Sequence, residues 1–292
     1  MNHPRRIGLL VVSIVLGILG VHPPAVAEGN PGSLVIIGGG ARPPSITERF
    51  IQLAGGTNGA RLVIIPFASD NPAGSGRSAA DEFKALGISA VEVLQETGEP
   101  AVRSLQQATG VYLTGGDQKR LVTAMAGTPA LEAVRNAWRR GGVIAGTSAG
   151  AAVMSARMIT GEEVGNPPEE NRFRSIQRGH VELVPGFGFI TNAIVDQHFI
   201  ARRRENRLFS VILENTALLG IGIDESTAVV VGPDQTFEVV GNQTVLIIDA
   251  RQAGKVHEDP RKHLGATDLK VHILVNGDRF DLRTARPLST RP

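Results

Sequence analysis

The sequence predicts an α/β fold: a doubly wound, mostly parallel sheet with helices on both faces, followed by an antiparallel β-rich extension over about residues 232–292. Three observations predict it. Largely apolar runs rich in Val, Ile and Leu recur at 34–37, 61–66, 111–114 and 143–145, too apolar for strands with one wet face. Helical patterns separate the runs, and several runs close in glycine, as tight βα turns require.

The composition agrees with this class. The chain has 292 residues, 42% of them hydrophobic, enough to bury a large core, while 35 glycines and only 4% aromatic residues suit many short turns and aliphatic packing. A formal charge of +2 without long like-charge blocks, and no zinc-finger or RNP pattern, argues against nucleic acid as a partner. With no cysteine, a thiol nucleophile and cysteine metal ligands are excluded.

The first residues have a different character. A basic start through Arg6, an apolar run over 7–21 and Ala25-Val26-Ala27 form a secretory signal peptide with cleavage expected after Ala27. The run is short for a membrane span, so an uncleaved anchor is the lesser reading. The expected address is secreted or periplasmic, without stable membrane association after cleavage, and residues 28–292 are expected to form a single domain.

From there βα units follow in order. Leu34-Val35-Ile36-Ile37 is a buried strand ending in Gly38-Gly39-Gly40, after which Ser45 caps a helix through Leu53. Residues 61–66 form the second strand, 78–86 a helix, 90–94 the third strand and 111–114 the fourth, closed by Gly115-Gly116-Asp117-Gln118. Helices at 119–125 and 131–139 lead to the central strand at Val143. The stretch 161–188, with adjacent prolines, charges of both signs and no periodicity, is expected to be a long loop near the site. A short strand at 193–196 precedes Gln197-His198-Phe199, and Leu208, Val211 and Ile212 share one face of a helix beginning at Asn206. Short β segments at 220–223, 227–231, 236–240, 244–249 and 271–275 are expected to extend or edge the main sheet.

The chemistry centres on Gly146-Thr147-Ser148-Ala149-Gly150, between an apolar strand and a small-residue helix. This is the context of a nucleophile elbow, which holds a serine hydroxyl out of a cramped turn. The N–H of Ala149 is placed to donate to a negative oxygen, and the Gly115-Gly116 turn, beside the elbow, offers a second donor. A serine needs a base, and His198, at the end of a predicted strand, is the best placed histidine. For the third member, Glu225 and its neighbour Asp224 both end an apolar strand, and chemistry alone does not choose between them. Arg202, Arg203, Arg204 and Arg207 follow the histidine as candidate carboxylate clamps, which implies an acidic substrate. Neither glycine turn has the spacing of a nucleotide cradle and there is no H-E-x-x-H motif, so no cofactor and no metal is expected.

Taken together, IIGGG at 36–40, TGGDQ at 114–118, GTSAGA at 146–151, DQHFIARRRENRL at 196–208 and GIGIDE at 220–225 resemble the cyanophycinases. The arginine run distinguishes that family from the related aspartyl dipeptidases. The resemblance implies a fold like the class I glutamine amidotransferase domain, with serine in place of cysteine, and a homodimer. It implies Ser148 as nucleophile, His198 as base and Glu225 as third member, with Gly116 and Ala149 as oxyanion donors. Gln118, Asp196, Gln197, Arg202, Arg204 and Arg207 match the family's substrate pocket. The expected activity is that of an exported serine exopeptidase releasing β-aspartyl-arginine dipeptides from cyanophycin, an aspartate backbone whose side-chain carboxyls carry arginine. The alternatives are an exported aspartyl or isoaspartyl dipeptidase acting on short peptides and a non-catalytic acidic-peptide receptor. Ala41, Arg203 and the 161–188 stretch depart from the family pattern. These assignments require three side chains distant in sequence to converge at the rim of a single sheet.

Overall fold

The computed structural model describes residues 31–165, 167–168 and 171–288. The signal peptide expected over residues 1–27 lies outside the described residues. No helix among them is long and apolar enough to cross a membrane.

Five parallel strands form one side of a nine-stranded sheet, out to its edge at β3: β1 (Leu34–Ile37), β2 (Arg61–Ile65), β3 (Ala90–Val93), β4 (Gly110–Leu113) and β5 (Val143–Thr147), in the order β1-β5-β4-β2-β3. The segments that follow the adjacent strands β1 and β5 leave to opposite faces of the sheet, the topological switch at which α/β sheets open a crevice at their carboxyl ends. Helices α1 (Pro44–Leu53) and α3 (Pro72–Ala85) cover one face, packing Ile46, Phe50, Ala80 and Phe83 on Val35, Ile37, Leu62 and Ile64. A single turn, α2 (Gly56–Gly59), leads into β2. Helices α4 (Glu99–Gln107), α5 (Gln118–Met125), α6 (Pro129–Arg139) and the short α7 (Ala149–Ala152) cover the other face.

The boundaries follow from capping. Helix α3 begins six residues before the expected Ser78, because Asn71 accepts a hydrogen bond from the N–H of Gly74 at 3.0 Å and Pro72 occupies the first turn. Ser45 lies inside α1 rather than capping it, since Pro44 is the first helical residue. Helix α4 was not expected: it is short, and its buried side is little more than Ala101 and Leu105.

Residues 161–188, expected to be irregular, carry much of a hairpin: β6 (Arg157–Glu163) pairs antiparallel with β7 (Val181–Pro185) across an irregularity between Ile159 and Glu163. The connecting segment lies against α8 (Glu205–Glu214), where the N–H of Gln177 donates to Ser210 and that of Gly179 to Glu214.

The later strands divide between two sheets. The strands β10 (Thr227–Val231), β11 (Thr236–Gly241), β16 (Arg279–Asp281) and β17 (Arg286–Leu288) extend the main sheet antiparallel from β1. A second sheet instead joins β8 (Ala193–Gln197), β9 (Leu219–Ile223), β12 (Val245–Asp249) and β15 (Lys270–Leu274), with only β8 and β9 parallel. A small hairpin, β13 (His257–Glu258) with β14 (Leu264–Gly265), lies between. The second sheet packs Val195, Ile221, Ile223, Val245 and Ile247 into the core shared with β1 and β5, and its other face takes Leu208, Val211 and Ile212 of α8. The expected single rim is therefore a seam between two sheets.

Packing across this second sheet locates the residue after the candidate base. Phe199 is fully buried over Gly222, where a Cβ would come within 2.4–2.6 Å of its ring. Gly222→Ala should overpack this contact and cost about 1–3 kcal/mol of unfolding free energy, measured by urea titration; an unchanged midpoint would mean that Phe199 does not locate the turn after β8.

Candidate active site

Five chain segments meet at the carboxyl ends of β1, β4, β5, β8 and β9. At the elbow, both glycines are enforced by space. A Cβ on Gly146 would lie 2.3 Å from the carbonyl oxygen of Gly150, and one on Gly150 would lie 2.4 Å from that of Leu113. Between them Ser148 adopts φ 53°, ψ −112°, a conformation L-residues rarely hold and that costs about 1–3 kcal/mol. Its N–H donates to Ile37 at 3.0 Å, so the elbow is fastened to the end of β1.

His198 and Glu225 reach Ser148 from the other sheet. The imidazole Nε2 lies 2.9 Å from Ser148 Oγ, and Nδ1 lies 2.5 Å from Glu225 Oε1. With Nδ1–H donating to the carboxylate, Nε2 is left to accept the serine proton, the relation that activates a hydroxyl for attack. The imidazole is nearly enclosed, at 7% exposure, whereas Glu225 is 37% exposed. Asp224, the local rival, is turned elsewhere: its carboxylate accepts the N–H of Ala201 at 2.9 Å and staples the turn that follows His198.

The three glycines after β1 make this convergence possible. A Cβ on Gly39 would stand 2.3 Å from Cε1 and 2.4 Å from Nε2 of His198, and one on Gly40 would stand 2.9 Å from Cβ of Glu225. Both also have positive φ, 101° and 70°. The turn's carbonyls then bind its neighbours: the N–H of His198 donates to Gly38 at 2.7 Å and that of Ser226 to Gly39 at 2.8 Å. Sequence reasoning treated this motif as a turn and a family signature; its role as the space for an imidazole and a carboxylate appears only when β9 is brought alongside.

Gly115 and Gly116 flank the serine. A Cβ on Gly115 would be 3.5 Å from that of Ser148, and Gly116 turns at φ 138° against the Ala68 carbonyl. The backbone beyond β4 therefore lies next to the N–H end of α7 that begins at Ala149. Gln118 is buried and donates its amide to Ile159 and Thr160 at 3.2 and 2.6 Å, tying α5 to β6.

The arginines fall into two groups. Asp196 and Arg207 are almost fully buried and form a two-pronged ion pair, the guanidinium lying over the ring of Phe173 at 5.4 Å. They turn toward each other inside the wall. Arg204, largely enclosed, donates to the carbonyl and side-chain oxygens of Gln197 at 2.7 and 2.8 Å, and that side-chain oxygen lies 3.4 Å from Ser148 Oγ. Arg202 is 55% exposed and 4.0 Å from Glu225. Arg203 is exposed, with φ 52°.

These charges set the protonation of the base. Burial pushes the His198 pKa below the ordinary value of 6.5, and Arg202 and Arg204 push it the same way, against the bond to Glu225. The imidazole is thus held neutral, ready to accept a proton, near neutral pH. Burial and the adjacent Arg207 lower the Arg204 pKa to about 10, which leaves it cationic there.

Comparison with known proteins identifies the family. The description "Peptidase family S51" matches residues 34–239, a span that takes in Ser148, His198 and Glu225. A cyanophycinase of Geminocystis herdmanii is 37% identical over 273 residues, covering 88% of this chain and 96% of that one. Another, from Trichormus variabilis, is 38% identical over 278 residues, 89% of each chain. In fold, the crystal structure of a peptidase from an acI-B1 actinobacterium is similar, with a TM-score of 0.61 at 23% identity over 86% of this chain and 97% of that one. The chain belongs to peptidase family S51 and is a serine-type peptidase.

Proposed function

We propose that this peptidase hydrolyses cyanophycin outside the cytoplasm, releasing β-aspartyl-arginine dipeptides through an acyl-enzyme formed on Ser148. The observation that carries the catalytic reading is the continuous chain from Ser148 through His198 to Glu225. The similarity to cyanophycinases supports the substrate.

His198 takes the proton as Ser148 Oγ attacks an aspartyl carbonyl, and Glu225 stabilises the imidazolium. The N–H groups of Gly116 and Ala149 receive the developing oxyanion, each worth about 3 kcal/mol in the transition state. His198 then protonates the leaving amine, and water, deprotonated by the same imidazole, releases the dipeptide.

Arg202 and Arg204 are the cations that meet substrate carboxylates, with Gln197 positioned by Arg204. Asp196 and Arg207 support this wall from behind through their mutual pair, and Gln118 closes its far side. The leader ending at Ala27 supports export to the periplasm or medium, with the mature single domain of residues 28–292 acting as a homodimer.

Incubating the mature protein with purified cyanophycin should release β-aspartyl-arginine, identified by mass spectrometry. Ser148→Ala should remain folded with turnover reduced roughly 10⁶-fold. Intact polymer alongside rapid cleavage of Asp-containing dipeptides would replace this substrate with a short peptide. Gly39→Ala, which places a methyl group where the imidazole stands, should lower kcat at least about 100-fold with the chain still folded by circular dichroism. The acid limb of kcat/KM on a short soluble substrate should have its midpoint below pH 6.5, because burial and cations depress the His198 pKa. Arg202→Gln removes one of those cations, so it should move the midpoint to higher pH; a shift to lower pH would contradict the electrostatics described.

A further inference from the structure

A cleft of about 1160 Å³ opens far from Ser148, at the amino end of β1, whose carboxyl end carries the three glycines. It runs between helix α1 and the β11–β16 ladder, with Ser33 at its base. Its walls carry both signs: Arg49, Arg279 and Arg283 together with Asp234, Glu238 and Asp278.

Arg283 is held by Asp281 at 3.4 Å, but among the described residues the other side chains of the two walls form no ion pairs with one another. Glu238 and Arg279 stand directly opposite on antiparallel strands, a placement in which opposite charges ordinarily pair. Among the described residues neither makes an ion pair or a side-chain hydrogen bond. Arg49 contributes only a bond to the neighbouring Gln52 at 2.8 Å. The two aspartates are fixed by main-chain donors, Asp234 by Thr236 and Asp278 by Val275, at 3.0 and 2.9 Å, so the acidic side is preset.

We propose that this cleft is a second, non-catalytic binding groove for the polymer; the assignment rests on the reading of cyanophycin as substrate. Joining the α-amine of arginine to an aspartyl side-chain carboxyl leaves every repeat with one free carboxylate and one guanidinium. A groove offering both unpaired guanidiniums and unpaired or preset carboxylates complements both groups of such a repeat. A uniformly basic or acidic groove would complement only one. Because the cleft and the catalytic seam lie at opposite ends of β1, a chain held in the first raises the local concentration of polymer ends at the second without blocking it.

The test compares Ser148→Ala with Ser148→Ala carrying Arg49→Ala and Arg279→Ala, by co-sedimentation with insoluble cyanophycin. The added substitutions should weaken binding roughly tenfold, the effect of losing two exposed charge contacts. In the active protein the same two substitutions should raise KM for polymer relative to KM for a two-repeat fragment. Glu238→Gln, on the acidic wall, should act in the same direction. Equal sedimentation of all variants, with polymer still digested by the active protein, overturns the groove and leaves the function standing. Failure of the active protein to digest polymer overturns the function itself. A change in solution mass on Arg49→Ala/Arg279→Ala, without a change in polymer binding, assigns the cleft to a second copy of the chain and also overturns the proposal.

Discussion

The arrangement depends on the absence of side chains along one turn. Between β1 and α1 the backbone passes so close to the segments bearing Asp224, His198 and Glu225 that a Cβ at any of Gly38, Gly39 or Gly40 would overlap one of them. What the glycines give up in chain stiffness they return as proximity, because their carbonyls and that of Ile37 accept the N–H groups of His198, Ser226 and Ser148. Three loops separated by dozens of residues are thereby held to one short stretch of main chain. The distance from Ser148 to His198 is set by that stretch as much as by the side chains themselves.

A second constraint is electrostatic. A site for acidic groups needs cations, and cations beside an imidazole oppose its protonation. Here the two demands agree, since burial together with Arg202 and Arg204 keeps His198 in the neutral form that a general base requires. The buried Arg207 would be costly alone. Asp196 meets it with two hydrogen bonds and Phe173 covers it with an aromatic face, so the wall holding Gln197 and Arg204 is electrically balanced from within.

Much of this was legible in the sequence where a local rule decides the outcome. Strands buried on both faces announce themselves as unbroken aliphatic runs, so the parallel core from Leu34 to Thr147 follows from sequence. The elbow is legible because Gly146 and Gly150 are demanded by contacts inside one turn. Features set by long-range pairing were not legible. Nothing local shows that β8 and β9 leave the main sheet, because sheet membership depends on partners far along the chain. The β6–β7 hairpin hides behind a charged insertion, and its irregular register erases the alternation that would mark it. Glu225 and Asp224 are equivalent as residue types; only the turn after His198, which captures the Asp224 carboxylate through Ala201, separates their roles. Asp196 and Arg207 match a pocket motif in sequence, yet burial directs them to each other.

The residues proposed for catalysis are divided between two sheets, Ser148 at the end of β5 in one and His198 and Glu225 after β8 and β9 in the other. Neither layer alone brings the imidazole to the hydroxyl, so their meeting rests on the packing of Val195, Ile221 and Ile223 of one sheet against Ile36 and Ile144 of the other. A shift of one layer on the other would part the two side chains while leaving the hydrogen bonds within each sheet intact.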